Sequence, residues 1–157
     1  MAMYSDSKMG RQLDRPIADI SLWSTESAVP ALSAAKVGAL STLALAHVGD
    51  GVYELMMRTA PAVSGVTAAH DLHRETVRRV NAPAQAKAIE HVLPQLDAEE
   101  LAVYKRGRNA KVNSVPQHAE VAEYHAATGL ETLFGWLWLQ GKTQRLTELF
   151  NRMTEVL

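Results

Sequence analysis

Apolar residues between positions 40 and 59 recur every three to four residues, which is the spacing of one face of an α-helix. Leu45, Val48, Val52 and Leu55 form this face, and further apolar residues occupy the opposite side. A helix that is apolar nearly all round must be enclosed by other elements. The pattern therefore predicts a central helix over residues 40–59 that ends at Pro61.

Further helices are predicted from the same periodicity and from residues that begin or end helices. Asp97 followed by Glu100 is a capping-box pattern, which begins a short helix that closes at Gly107. A long apolar pattern follows Pro116 and has a possible break near Gly129. The predicted helices cover residues 68–80, 83–93, 97–107, 119–140 and 143–156. Because strand-type alternation is rare, the sequence predicts an all-α fold.

Composition narrows the class of protein. Residues 1–36 contain scattered serines, two prolines and no sustained periodicity, so we expect an extended or flexible N-terminal segment before one domain over residues 37–157. The absence of cysteine excludes disulfides, cysteine zinc sites and thiol catalysis. The apolar runs are too short to span a bilayer and no secretory signal opens the chain. We therefore expect a soluble, cytoplasmic protein.

A net charge of −1 supplies no overall attraction to nucleic acid, so nucleic-acid binding would have to depend on local basic clusters. Two basic segments are candidates for such a surface. Residues 105–111 read KRGRNAK and place four cations in seven residues, where we expect a flexible loop. Phosphates would bind such a loop, although cations that complement a helix dipole explain it more simply. Arg74, Arg78 and Arg79 form a second stripe, for which ion pairing within the helix is the simpler explanation. The candidate RNA-binding residues are Lys105, Arg106, Arg108, Asn109 and Lys111.

Asp50 is the first candidate for chemistry, since it lies within the central helix on the face that carries Ala46 and Tyr53. An ionised carboxylate in such apolar surroundings requires a salt-bridge partner, a metal ion or a proton, and the spacing leaves all three open. Gly49 and Gly51 flank it, although glycine costs a helix about 0.5–1 kcal/mol relative to alanine. Either another helix packs tightly there, or the small residues leave room for metal-bound water and a phosphate.

Glu131 is the second candidate, because it lies in the other helix that is apolar nearly all round. Helical rotation places Glu120, Tyr124, Glu131 and Trp138 close to one line on the surface of this helix. Hard cations such as Mg²⁺ take oxygen ligands and keep several waters, so two carboxylates suffice to anchor one beside phosphates. Asp50 and Glu131 together would supply that minimum.

Three segments resemble one family when they are taken together. Residues 43–55, LALAHVGDGVYEL, resemble the signature helix of ribonuclease III. Residues 105–111 resemble the basic loop of its short branch, Mini-ribonuclease III. Residues 124–139, YHAATGLETLFGWLWL, resemble the glutamate-containing helix of that branch. The order and spacing of the segments also agree over approximately residues 38–155.

The resemblance implies an all-helical endonuclease domain that forms a symmetric homodimer without a separate double-stranded-RNA-binding domain. It implies that Asp50 and Glu131 are catalytic and that both bind Mg²⁺, with Mn²⁺ as a substitute. The implied activity is metal-assisted cleavage of double-stranded RNA. The implied substrate is the precursor of large-subunit (23S) ribosomal RNA, with a ribosomal protein as a further possible partner.

The sequence departs from full-length ribonuclease III at three positions. That family has carboxylates where this chain has Leu43, Ala46 and Thr128. The set of metal ligands is therefore smaller, which leaves the number of metal ions open. The first alternative is accordingly a non-catalytic module that has the same fold and binds double-stranded RNA during ribosome assembly.

A second alternative is a helical metal phosphohydrolase, because His70 and Asp71 form the histidine-aspartate pair found in such enzymes. The other metal ligands that such an enzyme needs are poorly matched here, since His47 lies on the central helix and Asp97 is expected to cap another helix. The resemblance to ribonuclease III therefore remains the main hypothesis.

Overall fold

The structure is a computed structural model that describes residues 31–111 and 120–157. The described residues form seven α-helices and one 3₁₀ turn, Leu93–Gln95, and contain no β-strand, which confirms the all-α prediction. The helices are α1 Ala34–Gly38, α2 Thr42–Val63, α3 Ala69–Val80, α4 Ala82–Val92, α5 Ala98–Arg108, α6 Val121–Leu139 and α7 Thr143–Thr154.

Helices α2 and α6 pack against each other at the centre of the fold, and glycines allow their main chains to touch. A Cβ atom at Gly49 would lie 1.6 Å from the carbonyl oxygen of Glu131, and one at Gly135 would lie 2.0 Å from that of Leu45. Any other residue at these positions would force the helices apart. Of the two explanations for Gly49, tight helix packing is therefore the correct one.

Helix α6 is the most deeply enclosed element. Every residue of the segment 126–137 is buried except Glu131, which is partly exposed. The rings of Phe134 and Tyr53 meet edge to face with their centroids 5.6 Å apart, which links α6 to α2. Glu131 is the only ionisable residue within this segment.

Helix α5 packs on another part of α6, again through glycine. A Cβ atom at Gly107 would lie 2.3 Å from the hydroxyl oxygen of Thr132, and one at Gly129 would lie 2.6 Å from the ring of Tyr104. Both glycines therefore serve close packing, and neither has a positive φ angle. The prediction that Gly107 ends its helix was wrong, because α5 continues to Arg108, and α6 passes through Gly129 without a break.

Two other signals in the sequence, Pro61 and the capping box of Asp97 and Glu100, had opposite outcomes. The predicted end of the central helix at Pro61 was wrong, because α2 continues to Val63. Proline removes only its own N–H group, and the residues that follow still find helical partners: the backbone N–H of Ser64 donates to the carbonyl of Ala60 at 3.1 Å. The capping box is confirmed, since Asp97 and Glu100 each accept a hydrogen bond from the backbone N–H of the other.

The first described residues are attached to the core. The backbone N–H of Leu32 donates to the carbonyl of Leu139 at 2.8 Å, and its side chain packs against the core. Residues 1–30 of the predicted N-terminal segment lie outside the described residues. None of the helices in the described part of the chain is long and apolar enough to cross a membrane.

Candidate active site

The crossing of α2 and α6 brings the two candidate carboxylates together. Gly49 lies against the main chain of Glu131, and Asp50 is the next residue along α2. The two side chains are close enough for the negative charge of Asp50 to raise the pKa of Glu131. The residues singled out by their positions in the sequence are therefore neighbours in space.

Glu131 holds its proton far more tightly than an ordinary glutamate. Burial is the main cause, and the charge of Asp50 adds to it, so that the pKa of Glu131 rises from 4.5 to about 7. A hydrogen bond from the Gln85 side chain acts in the opposite direction. The pKa of Glu131 is therefore raised overall, because no positive charge offsets the effects of burial and of Asp50.

Asp50 is more exposed than the sequence indicates. The prediction that its carboxylate lies in apolar surroundings was wrong, because α2 packs on α6 with one side and leaves this part of its surface open; Leu43, on the same side, is 54% exposed. Partial burial, followed by the charge of Glu54, raises the pKa of Asp50, whereas His47 lowers it. A solvent-accessible carboxylate beside a partly buried one can be reached by a large substrate.

Neither carboxylate forms a salt bridge within the described ranges, which excludes the salt-bridge explanation for Asp50 there. A Cβ atom at Gly51 would meet nothing within 4 Å, so there is open space on the chain next to Asp50. The amide oxygen of Gln85, the residue that contacts Glu131, is buried and also lacks a hydrogen-bond partner. Free carboxylate and amide oxygens are donors that suit a hard divalent cation such as Mg²⁺.

The donor set is sparse, as the sequence indicates. Residues 31–111 and 120–157 contain no group of three or more histidine, aspartate or glutamate residues placed to hold a metal ion. Ala46 is 7% exposed, and the 5% exposed Thr128 donates its hydroxyl hydrogen to the carbonyl of Tyr124 at 3.0 Å. A cation at Asp50 and Glu131 would therefore keep several waters, and the residues present fit such an ion.

A polar network lies next to this pair, and its burial was not predicted from the sequence. The Tyr53 hydroxyl donates to the carbonyl of Arg79 at 3.3 Å, and Arg79 forms a 2.8 Å ion pair with Glu75. Burial raises the pKa of Tyr53, Arg79 lowers it, and Glu131 raises it further. The sequence predicted ion pairing of Arg79 with Glu75 within the helix, but helical spacing could not show that the pair is buried.

The basic segment is more ordered than predicted. Three of its cations lie in the last turn of α5, so the expectation of a flexible loop over the whole segment was wrong; Asn109 caps the helix and Lys111 follows it. The candidate residues Lys105, Arg106, Arg108, Asn109 and Lys111 are all exposed. Among the contacts of the described residues, no carboxylate pairs with these cations. The other stripe is paired, as expected: Arg74 with Asp71, and Arg78 and Arg79 with Glu75.

The histidine-aspartate alternative receives no support. The side chain of His70 is 76% exposed, and its Nε2 atom lies 3.1 Å from a guanidinium nitrogen of Arg74. Asp71 pairs with the same arginine at 2.7 Å. These residues form a surface ion-pair cluster.

The chain matches the ribonuclease III domain family over residues 43–142, the part of the chain that contains both Asp50 and Glu131. Two curated relatives are Mini-ribonuclease 3 proteins of Symbiobacterium thermophilum and Enterococcus faecalis. Each is 43% identical, over 112 and 114 residues respectively, covering 71% of this chain and 86% of the relative. A crystal structure of a Fusobacterium nucleatum protein has a TM-score of 0.67 at 29% identity, covering 74% of this chain and 93% of its own. The chain therefore belongs to the Mini-ribonuclease III family, a branch of the ribonuclease III nucleases.

Proposed function

We propose that this protein is an endoribonuclease that hydrolyses double-stranded RNA with a divalent cation held by Asp50 and Glu131. The observation that carries the proposal is the proximity of Asp50 to the partly buried Glu131, whose pKa the charge of Asp50 raises, while neither carboxylate forms a salt bridge in the described part of the chain. The names of the curated relatives support the same activity. Mg²⁺ is the expected ion and Mn²⁺ a substitute.

A bound divalent cation would supply an activated water and would stabilise negative charge on the scissile phosphate. The protein's own residues prepare the site for this chemistry. Exposed Asp50 can be reached by an RNA backbone, and the open space at Gly51 allows the backbone to approach. Partly buried Glu131 accepts a hydrogen bond from the side chain of Gln85. Hydrolysis would leave 5′-phosphate and 3′-hydroxyl ends.

We assign RNA binding to the exposed basic segment of residues 105–111. Its cations have no carboxylate partner among the described contacts, and Gly107 anchors the segment to Thr132, the neighbour of Glu131 in the chain. A-form RNA presents mainly phosphates and 2′-hydroxyls, so binding would follow the shape of the duplex with modest sequence preference. The affinity should therefore fall steeply with salt.

The proposal includes a symmetric homodimer in which each subunit cleaves one strand. Helix α2 exposes two large apolar side chains, Leu43 and Leu55, which are 54% and 49% accessible, and exposed apolar residues on a central helix suit association of two copies. We propose that the natural substrate is the cytoplasmic precursor of large-subunit (23S) ribosomal RNA, with a bound ribosomal protein aiding recognition. Light scattering that shows a stable monomer at micromolar concentration would contradict the dimer.

The test compares cleavage with binding. With Mg²⁺, the wild-type protein should cut a duplex from the precursor, and Asp50→Asn should abolish cutting while it still binds the duplex. If the wild type binds but never cuts any precursor duplex, the protein is instead a non-catalytic RNA-binding module. The absent carboxylates at Leu43, Ala46 and Thr128 are the observation that keeps this second candidate in view.

A further inference from the structure

We propose that Gln85 is a positioning residue of the cation site: its amide nitrogen holds the Glu131 carboxylate, and its amide oxygen accepts a hydrogen bond from a water bound to the cation. This inference rests on the proposed function, since it assumes that Asp50 and Glu131 hold a divalent cation. It adds a third side chain to the sparse donor set.

The first step is the location of Gln85. It lies in the first turns of α4, and the residue is only 3% exposed. Its side chain contacts Glu131 through a hydrogen bond that favours the ionised carboxylate. Glutamine is rarely buried to this degree without a specific set of hydrogen bonds.

The second step is the orientation of the amide group. The Gln85 Nε2 atom donates to the carbonyl of Val80 at 3.1 Å. The reverse orientation would place the amide oxygen against this carbonyl, so that two acceptors would face each other. The nitrogen carries two hydrogens, which suffice for the Val80 carbonyl and the Glu131 carboxylate. The two partners therefore determine which way the amide points.

The third step is the atom that remains. The Gln85 Oε1 atom is buried and accepts no hydrogen bond from any described residue. A buried acceptor left unpaired costs about 1–3 kcal/mol, so such atoms usually serve a bound water or ligand. Because Oε1 and Nε2 share one carbon, this free acceptor lies beside the Glu131 carboxylate. A cation that keeps several waters would supply the missing donor.

The fourth step is the consequence for binding. Groups that orient metal ligands without touching the ion typically change metal affinity by about 10–100-fold when they are removed. Gln85→Met keeps the length of the side chain but removes both the donor and the acceptor. Gln140→Met is the matched control, because Gln140 also donates its amide nitrogen to a backbone carbonyl, that of Trp136 at 3.0 Å, outside the site.

The experiment measures Mn²⁺ binding to the full chain without RNA, by the electron paramagnetic resonance signal of free Mn²⁺. We expect Gln85→Met to bind Mn²⁺ roughly tenfold more weakly than wild type, and Gln140→Met to bind normally. If folded Gln85→Met binds as the wild type does, Gln85 is only a structural link between α3 and α4 and the inference is wrong. If Asp50→Asn also binds normally, the proposed cation site itself is wrong.

A second measurement needs no variant and remains informative if Gln85→Met does not fold. The side-chain amide signals of Gln85 and Gln140 are followed by nitrogen-15 NMR while Mg²⁺ is added to the wild-type protein. We expect the Gln85 signals to shift with the same midpoint as Mg²⁺ binding, while those of Gln140 stay in place. Binding of Mg²⁺ without a shift at Gln85 would overturn the inference.

Discussion

Gly49 of α2 packs directly against the main chain of Glu131 of α6, and this contact places Asp50, the residue after Gly49, beside the Glu131 side chain. The catalytic proposal therefore depends on a backbone contact that no side chain can replace. Gly135 of α6 makes a second close contact at the same crossing, with the backbone carbonyl of Leu45. The close packing at this helix crossing therefore both stabilises the fold and sets the positions of Asp50 and Glu131.

Replacing Gly49 by alanine should destabilise the protein. The added Cβ atom would lie 1.6 Å from the Glu131 carbonyl oxygen, so the helices must separate, and we expect the free energy of unfolding to fall by about 2–3 kcal/mol. Gly51→Ala is the control, because its Cβ atom meets nothing within 4 Å, and it should be neutral or stabilise the helix by about 0.5–1 kcal/mol. Urea denaturation measures both, and equal effects would contradict the packing role of Gly49.

Glu131→Gln should stabilise the metal-free protein at high pH. Because the folded pKa of Glu131 is raised from 4.5 to about 7, the folded chain holds this proton more tightly than the unfolded chain between those values. Stability therefore decreases as pH rises through this window and stays lower above it, a loss that the glutamine variant avoids. We expect an advantage of about 1–3 kcal/mol near pH 8 that disappears near pH 4.5.

The measurement for Glu131→Gln is urea denaturation in a chelator at several pH values. Saturating Mg²⁺ provides the internal check, since a cation that binds ionised Glu131 should reduce the advantage of the variant at high pH. An advantage that is the same at all pH values would show that the ionisation of Glu131 is not its cause.

The pKa of Glu131 should fall when the charge of Asp50 is removed. Asp50 is the second cause of the shift after burial, so Asp50→Asn should bring the Glu131 pKa below about 7 without restoring its usual value. Carbon-13 NMR of the glutamate carboxyl groups follows this titration directly. Glu90→Gln is the control, since the charge of Glu90 acts on Tyr104, and it should leave the Glu131 titration unchanged.

Breaking the Glu75–Arg79 ion pair should be costly. The two side chains are 7% and 4% exposed, so Glu75→Gln would leave a buried guanidinium without its counter-charge and destabilise the fold by about 3 kcal/mol or more. The Glu54–Arg58 pair has the same i,i+4 spacing but is 37% and 58% exposed, so Glu54→Gln should cost about 0.5 kcal/mol or less. Thermal denaturation compares the two, and similar losses would refute the role of burial.

Removing one cation from the basic segment should weaken RNA binding in a salt-dependent way. In an Asp50→Asn background, which prevents cleavage, Arg106→Gln should reduce the slope of log affinity against log salt by about one. Arg152→Gln is the matched control, because Arg152 pairs with Glu155 on α7, away from the basic segment. Filter binding over a range of salt concentrations measures the slopes, and an unchanged slope for Arg106→Gln would remove it from the RNA interface.

Local signals identified most helices because periodicity and capping act over only a few residues. The three-to-four spacing in α2 and α6 and the Asp97 capping box needed no knowledge of distant contacts. Helix ends were less predictable. Gly107 could be interpreted as a helix end or as a packing position, and only the approach of Thr132 distinguishes the two.

Periodicity and ordered motifs were sufficient to predict the all-α class, the family and the two carboxylates worth testing. The exposure of Asp50, the partial burial of Glu131 and the contact of Gln85 with Glu131 emerged from the packing of the helices. The reason is physical: burial, pKa shifts and unpaired atoms depend on which surfaces meet at a helix crossing. Gly49 shows this most directly, because the contact that assembles the site joins residues 49 and 131, far apart in the chain.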